Sequence, residues 1–205
     1  MKKFLIVLLV IALIALAGVG IYFGLGFGRQ IAESVTLPDE YYIEYEITGE
    51  DNIITTVAKG KDSTGNYYYK DSETETVFLL NGGKYTVYDK TGGQWVARSS
   101  FVNEDYINDN TEAFDSLANK SKEKFSGVYK ESDGEAFLGR NCNSYKLGLN
   151  IINFSQSYEM LVDVNTGVCM RFFGTSSVNS EQTDEAGFEC VKFETSGLDF
   201  STIVK

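Results

Sequence analysis

The stretch Tyr41-Tyr42-Ile43-Glu44-Tyr45-Glu46-Ile47-Thr48 decides how this chain is read. Tyr, Ile, Tyr and Ile hold the odd positions, and glutamates hold two of the even ones. Side chains that alternate in this way belong to a β-strand with one face buried. The pattern recurs downstream over Ile53–Lys61, Asn66–Lys70, Glu75–Leu80, Lys84–Asp89 and Gln94–Ser99. Asp51-Asn52, Ser63-Thr64-Gly65, Asn81-Gly82-Gly83 and Thr91-Gly92-Gly93 separate these segments. Short gaps rich in Gly and Asn are hairpin connections, so the segments are expected to pair antiparallel as a meander.

The alternation breaks between Asn103 and Phe125. Phe114, Leu117, Ala118, Ser121 and Phe125 fall there at helical spacing, a narrow apolar stripe that suits a helix laid against a sheet. Strands are expected again over Glu135–Leu149, Ser157–Val164, Val168–Gly174 and Gly187–Thr195. Asp163-Val164-Asn165-Thr166-Gly167 reads as a turn and Thr175–Ala186 as a polar loop. The expected class is α+β, mainly antiparallel β. A curved sheet or incomplete β-barrel wraps around one or two helices, and an N-terminal transmembrane helix precedes it.

That helix is read from Phe4–Gly28, 25 uncharged and mostly apolar residues between Lys2-Lys3 and Arg29. As a helix it measures about 37 Å, enough to cross a hydrocarbon core of roughly 30 Å. A cleaved signal peptide is the rival reading, with Ala15-Leu16-Ala17 as its small-x-small site. The apolar run continues past that site, which favours the anchor. Lys2 and Lys3 then orient a single pass with the N-terminus cytoplasmic and the rest extracytoplasmic. Gly20, Gly24 and Gly28 form a strip that could pair weakly with a second helix. The expected division is 1–29 anchor, 30–38 stem ended by Pro38, and 39–205 one folded domain.

The 205 residues carry 18 Lys and Arg against 29 Asp and Glu, and no histidine. Residues 30–205 hold 15 basic and 29 acidic residues, about −14, which argues against a nucleic-acid partner. The missing histidine removes Ser-His-Asp and Cys-His catalysis and His-ligated zinc. No acidic spacing matches a calcium loop, no glycine pair leads into a helix to cradle phosphate, and no nucleophile sits beside a base. The expectation is a protein that is not an enzyme and uses no cofactor or metal. Cys142, Cys169 and Cys190 all fall in expected strands. Cys169 and Cys190 are the better pair for a disulfide, and three reduced thiols are the other reading.

With 13 Tyr and 14 Phe, the sheet is strongly aromatic. Tyr41, Tyr45, Tyr67, Tyr69, Tyr85 and Trp95 are expected to line one face, with Phe114, Leu117 and Phe125 as a helical lid. Two outcomes are open: a filled core, or an apolar groove that takes a lipid-like or peptide ligand.

Gly60, Gly65-Asn66-Tyr67-Tyr68-Tyr69, Tyr85-Thr86-Val87-Tyr88 with Trp95, Gly139-Arg140-Asn141-Cys142-Asn143-Ser144-Tyr145 and Val162-Asp163-Val164-Asn165-Thr166-Gly167 follow one another in a distinctive order. In that order the chain resembles the lipoprotein-carrier (LolA-like) superfamily, including its anchored Gram-positive relatives, over roughly residues 40–195. The resemblance implies an incomplete barrel around helices with an apolar cavity, outside the membrane. It also implies lipid or lipoprotein acyl chains as ligand, or a sensory role. The anchor departs from the soluble carriers, because a tethered protein cannot shuttle. The alternative is a structural or sensory protein-interaction domain with a filled core.

Overall fold

The computed structural model describes residues 29–48, 54–125, 128–151, 154–178 and 181–204. The expected anchor, its glycine strip and the rival cleavage site lie outside these residues. Among the described residues, no helix is long and apolar enough to cross a membrane.

A short β1 (Arg29–Gln30) leads through an extended strap to β2 (Tyr41–Thr48). Then follow β3 (Ile54–Lys61), β4 (Tyr67–Lys70), β5 (Glu75–Asn81), β6 (Lys84–Thr91) and β7 (Gln94–Val102). Helices α1 (Glu104–Asp109) and α2 (Glu112–Ala118) come next, then a 3-10 turn (Lys120–Lys122) and β8 (Lys124–Phe125). The chain closes with β9 (Val128–Phe137), β10 (Arg140–Ile151), β11 (Phe154–Asp163), β12 (Cys169–Val178), β13 (Glu181–Glu194) and a 3-10 turn at Phe200–Thr202.

Among the described residues, eleven strands form one open antiparallel sheet in the order β7-β6-β5-β4-β3-β2-β13-β12-β11-β10-β9. Two meanders therefore meet at a seam where the first long strand pairs with the last, Tyr45 opposite Cys190 and Ile43 opposite Phe193. The sheet is curved but is not a closed barrel; β7 and β9 are its edges. β1 pairs with β8 in a small separate ribbon.

Of the one or two helices expected, the described residues hold two. Asn103 caps α1 by accepting from the Tyr106 N–H, and Asn110 and Thr111 interrupt the helical run before α2. Phe125 lies on strand β8 rather than on a helix. The expected strand Glu135–Leu149 is a hairpin, β9 and β10, turning at Leu138-Gly139. The expected loop Thr175–Ala186 is largely the paired ends of β12 and β13, from Thr175↔Glu185 to Val178↔Glu181. Backbone ladder bonds carry these segments, so their polar composition concealed them.

Each face of the sheet buries its own cluster. The large one, under the helices, holds Tyr41, Ile43, Tyr45, Phe78, Val87, Phe114, Met160, Met170 and Phe188, among others. The small one, on the outer face, holds Ala58, Tyr68, Val77 and Phe200, where the C-terminal turn caps the sheet. Phe200 stacks on Tyr68 at 5.7 Å and gives its N–H to the buried Asp62.

Candidate functional site

The helix-covered face is the strongest candidate. Its floor is built by parity. β2, β3 and β4 pair odd with odd, so Tyr41, Tyr45, Tyr67 and Tyr69 all point under the helices. The connections that follow, of four, two and two residues, each reverse the parity. Even residues face inward on β5 (Phe78), and odd ones on β6 (Tyr85, Val87). On β7 the inward parity is even again, so Trp95, opposite Lys90, packs against the outer cluster. Five of the six expected aromatics share the covered face, and Trp95 does not.

All five are buried: Tyr45 has no exposed surface and Tyr41, Tyr67, Tyr69 and Tyr85 have 4–6%. Phe114, fully buried on α2, packs 5.7 Å from Tyr45. Leu117 is partly buried against the same cluster, as is Phe125 from β8. The space between sheet and cover is occupied by side chains.

The cover is thin and fastened by polar tips. Lys59 on β3 is 4% exposed and meets both carboxylate oxygens of Asp115 on α2 at 3.1 Å. The Tyr67 hydroxyl donates to Glu104 on α1 at 2.5 Å. The Tyr45 hydroxyl donates across the interior to the Cys169 carbonyl at 2.9 Å. Tyrosine suits this floor because one end is apolar and the other seeks a partner. Burial pushes the Tyr45 phenol well above its ordinary value.

A third piece of cover escaped the sequence reading. The strap after β1 lays Ile31, Ala32, Val35 and Leu37 on the large cluster. The N–H groups of Ile31 and Ala32 donate to the Ser121 carbonyl, and that of Thr36 donates to Thr166. The Gln30 amide donates to the Lys122 carbonyl. The signal was present in Ile31, Val35 and Leu37, but a segment read only as a stem hid it. Between strap, Tyr145 and the β11–β12 turn lies a recess of about 250 Å³.

Phe188, Phe172 and Tyr158 were also missed. Phe125, Phe172, Phe188, Tyr45 and Phe114 form a chain of ring contacts, with centroids 5.5–6.0 Å apart. It runs from β8 into the middle of the interior.

The turn Asp163–Gly167 is fixed by its first residue. Asp163 accepts from the Asn165 and Thr166 N–H groups, from the Thr166 hydroxyl and from Arg140 at 2.7 Å. Burial alone would raise its pKa; the Arg140 and Thr166 hydrogen bonds prevail and hold it below the usual carboxylate range. Asp62 is held low by the same kind of competition, with burial opposed by Thr64, Asn66 and Phe200.

Of the two readings left open for the cysteines, a Cys169–Cys190 disulfide and three reduced thiols, the structure has the second. All three cysteines are buried free thiols. Cys169 Sγ turns to the Arg171 carbonyl at 3.4 Å and Cys190 Sγ to that of Lys192 at 3.3 Å, each along its own strand. Burial pushes Cys142 up to about 11 and Cys190 up to about 12. Among the described residues, no group of His, Cys, Asp and Glu is placed to hold a metal ion.

No family model matches the chain, and no curated protein matches it. Among solved structures it is similar to MucB, with TM-score 0.40 and 11% identity over 86% of this chain and 60% of that one. It is similar to a chain of the Pseudomonas aeruginosa MucA/MucB complex, with TM-score 0.37 and 11% identity over 81% of this chain and 55% of that one. A LolA superfamily protein from Nitrosomonas europaea gives TM-score 0.27 and 8% identity over 86% and 94%. The chain thus spans somewhat over half of the two MucB chains. All three TM-scores lie below 0.5, and nothing about this chain is argued from these likenesses.

Proposed function

We propose that this chain is a membrane-tethered extracytoplasmic binding domain, non-catalytic, which takes the acyl chain of a lipid or lipoprotein between its sheet and its cover. One observation carries the reading. A broad aromatic floor is roofed by α1, α2 and the strap, short pieces that pack Ile107, Phe114 and Ala118 onto it, are fastened by a few polar bonds and lie outside the sheet's own ladder. Such pieces sit at the low end of local stability and can part from the floor without unfolding it. The tether would hold the domain beside a source of acyl chains, and the absence of histidine removes Ser-His-Asp and Cys-His catalysis. Because the interior is filled, a ligand has to displace cover side chains.

Purified residues 29–205 are expected to raise the fluorescence of an apolar dye to a one-to-one endpoint, and a single-chain lipid should displace it. A folded domain that ignores both supports a second reading, protein interaction through an edge strand. The state of β7 favours that alternative: Val96 is 53% and Phe101 61% exposed on an unpaired edge.

A further inference from the structure

Charge is unevenly spread around the strap. In a domain with 15 basic and 29 acidic residues, Lys120-Ser121-Lys122-Glu123-Lys124 sets three lysines within five positions. This is the turn on which the strap docks. Ser121 is fully buried; its carbonyl receives the Ile31 and Ala32 N–H groups and its hydroxyl donates to the Gly167 carbonyl at 2.5 Å. Lys122 and Lys124 are exposed. The Lys120 ammonium pairs with Glu123 at 2.7 Å and lies 5.2 Å from the Phe172 centroid and 5.9 Å from that of Phe125.

Phe125 and Phe172 are also the outer end of the ring chain that leads through Phe188 to Tyr45 and Phe114. Lys120 therefore lies over the outer end of a row of rings that leads into the interior, with Lys122 and Lys124 on the same turn, and the strap lies beside it with apolar side chains of its own on the cluster.

We propose that the Lys120–Lys124 turn is the head-group site for a single-chain amphiphile with an anionic head, whose tail follows Phe125, Phe172 and Phe188 inward in place of the strap. This rests on the acyl-binding reading above and names its ligand class. An anionic head gains charge-assisted hydrogen bonds from the ammonium groups. The tail loses water along the rings. The strap is the resident competitor, and the fraction of molecules with the strap lifted scales the apparent affinity.

The test uses the full chain in phosphatidylcholine nanodiscs, with empty nanodiscs as the blank. The probes are palmitate, palmitoyl-lysophosphatidylglycerol and the zwitterionic palmitoyl-lysophosphatidylcholine. A bimane dye on Thr36→Cys reports the strap; the native thiols are buried. Both anionic probes are expected to bind about fivefold more tightly than the zwitterionic one and to shift the bimane emission. The triple variant K120Q/K122Q/K124Q should erase that preference and leave affinity for the zwitterion within about twofold. Binding of palmitate alone would identify a carboxylate head; binding of both anionic probes would admit phosphate as well.

Equal affinity for anionic and zwitterionic probes, or a preference that survives the triple substitution, overturns the head-group site. Tight binding with unchanged bimane emission overturns displacement of the strap. Failure of all three probes to bind removes the acyl-binding reading itself.

Discussion

Replacing Gly167 with alanine isolates what the strap contributes. Gly167 has φ +72°, a conformation that costs a residue with a Cβ about 1–2 kcal/mol. A Cβ there would also fall well within van der Waals contact distance of the Ser34 carbonyl oxygen and 3.4 Å from Ala32 Cβ, so the strap has to withdraw. Withdrawal breaks the Thr36–Thr166 bond and strains the two bonds to Ser121, each worth about 1 kcal/mol net. The total is about 3–5 kcal/mol, capped by the free energy of lifting the strap. Gly139 is the control: its φ is also +72°, and a Cβ added there would meet nothing within 4 Å. Gly139→Ala should therefore cost the backbone strain alone, about 1–2 kcal/mol. Urea denaturation measures both costs, and hydrogen exchange resolves their location. In Gly167→Ala the amides of Ile31, Ala32 and Thr36 should exchange much faster while those of β2 and β13 hold. Equal destabilisation by the two substitutions, with unchanged exchange in the strap, would refute the reasoning.

Further expectations concern the cover, the buried carboxylate and the thiols. Asp115→Ala leaves the Lys59 ammonium buried without a partner and should cost more, about 3 kcal/mol by chemical denaturation, than Lys59→Met, which leaves a carboxylate 35% exposed to water. If the two cost the same, Lys59 is better hydrated than its burial indicates. Asp163 has a depressed pKa in the folded state, so its stabilisation is complete above the unfolded carboxylate value near 4 and disappears as pH falls through the lower folded value. Asp163→Asn should flatten the fall of the urea midpoint below pH 4, and an unaltered slope would assign that fall elsewhere. Native protein at pH 8 should leave all three cysteines unreacted with iodoacetamide, and denatured protein should modify three; rapid native labelling would mean that the covered face opens easily.

Much of the frame was legible because it rests on alternation and turns. β2 was read to the residue, and the hairpins around Gly82 and Gly92 carry the glycines with positive φ that such turns favour. Trp95 was assigned to the wrong face because parity was carried across a two-residue turn that reverses it. β9 escaped because Lys130, Glu131, Asp133 and Glu135 replace any apolar alternation on an edge strand, where charge discourages further pairing. Ser121 was seen as part of an apolar stripe, but the strap bonded to it is a contact across some ninety residues. No local pattern reports a partnership of that kind.

The seam between β2 and β13 has a consequence for assembly. Tyr45 meets Cys190 and Ile43 meets Phe193, so the middle of the sheet joins segments some 150 residues apart along the chain. A chain made from its N-terminus can zip its early hairpins at once, but β2 waits with one side bare until β13 arrives. During that interval Tyr41, Ile43 and Tyr45, all core residues, sit on a strand with no neighbour on that side. Holding it soluble would then fall to a chaperone or to speed of synthesis, and truncation anywhere before Glu181 should yield protein that aggregates in place of a smaller working domain.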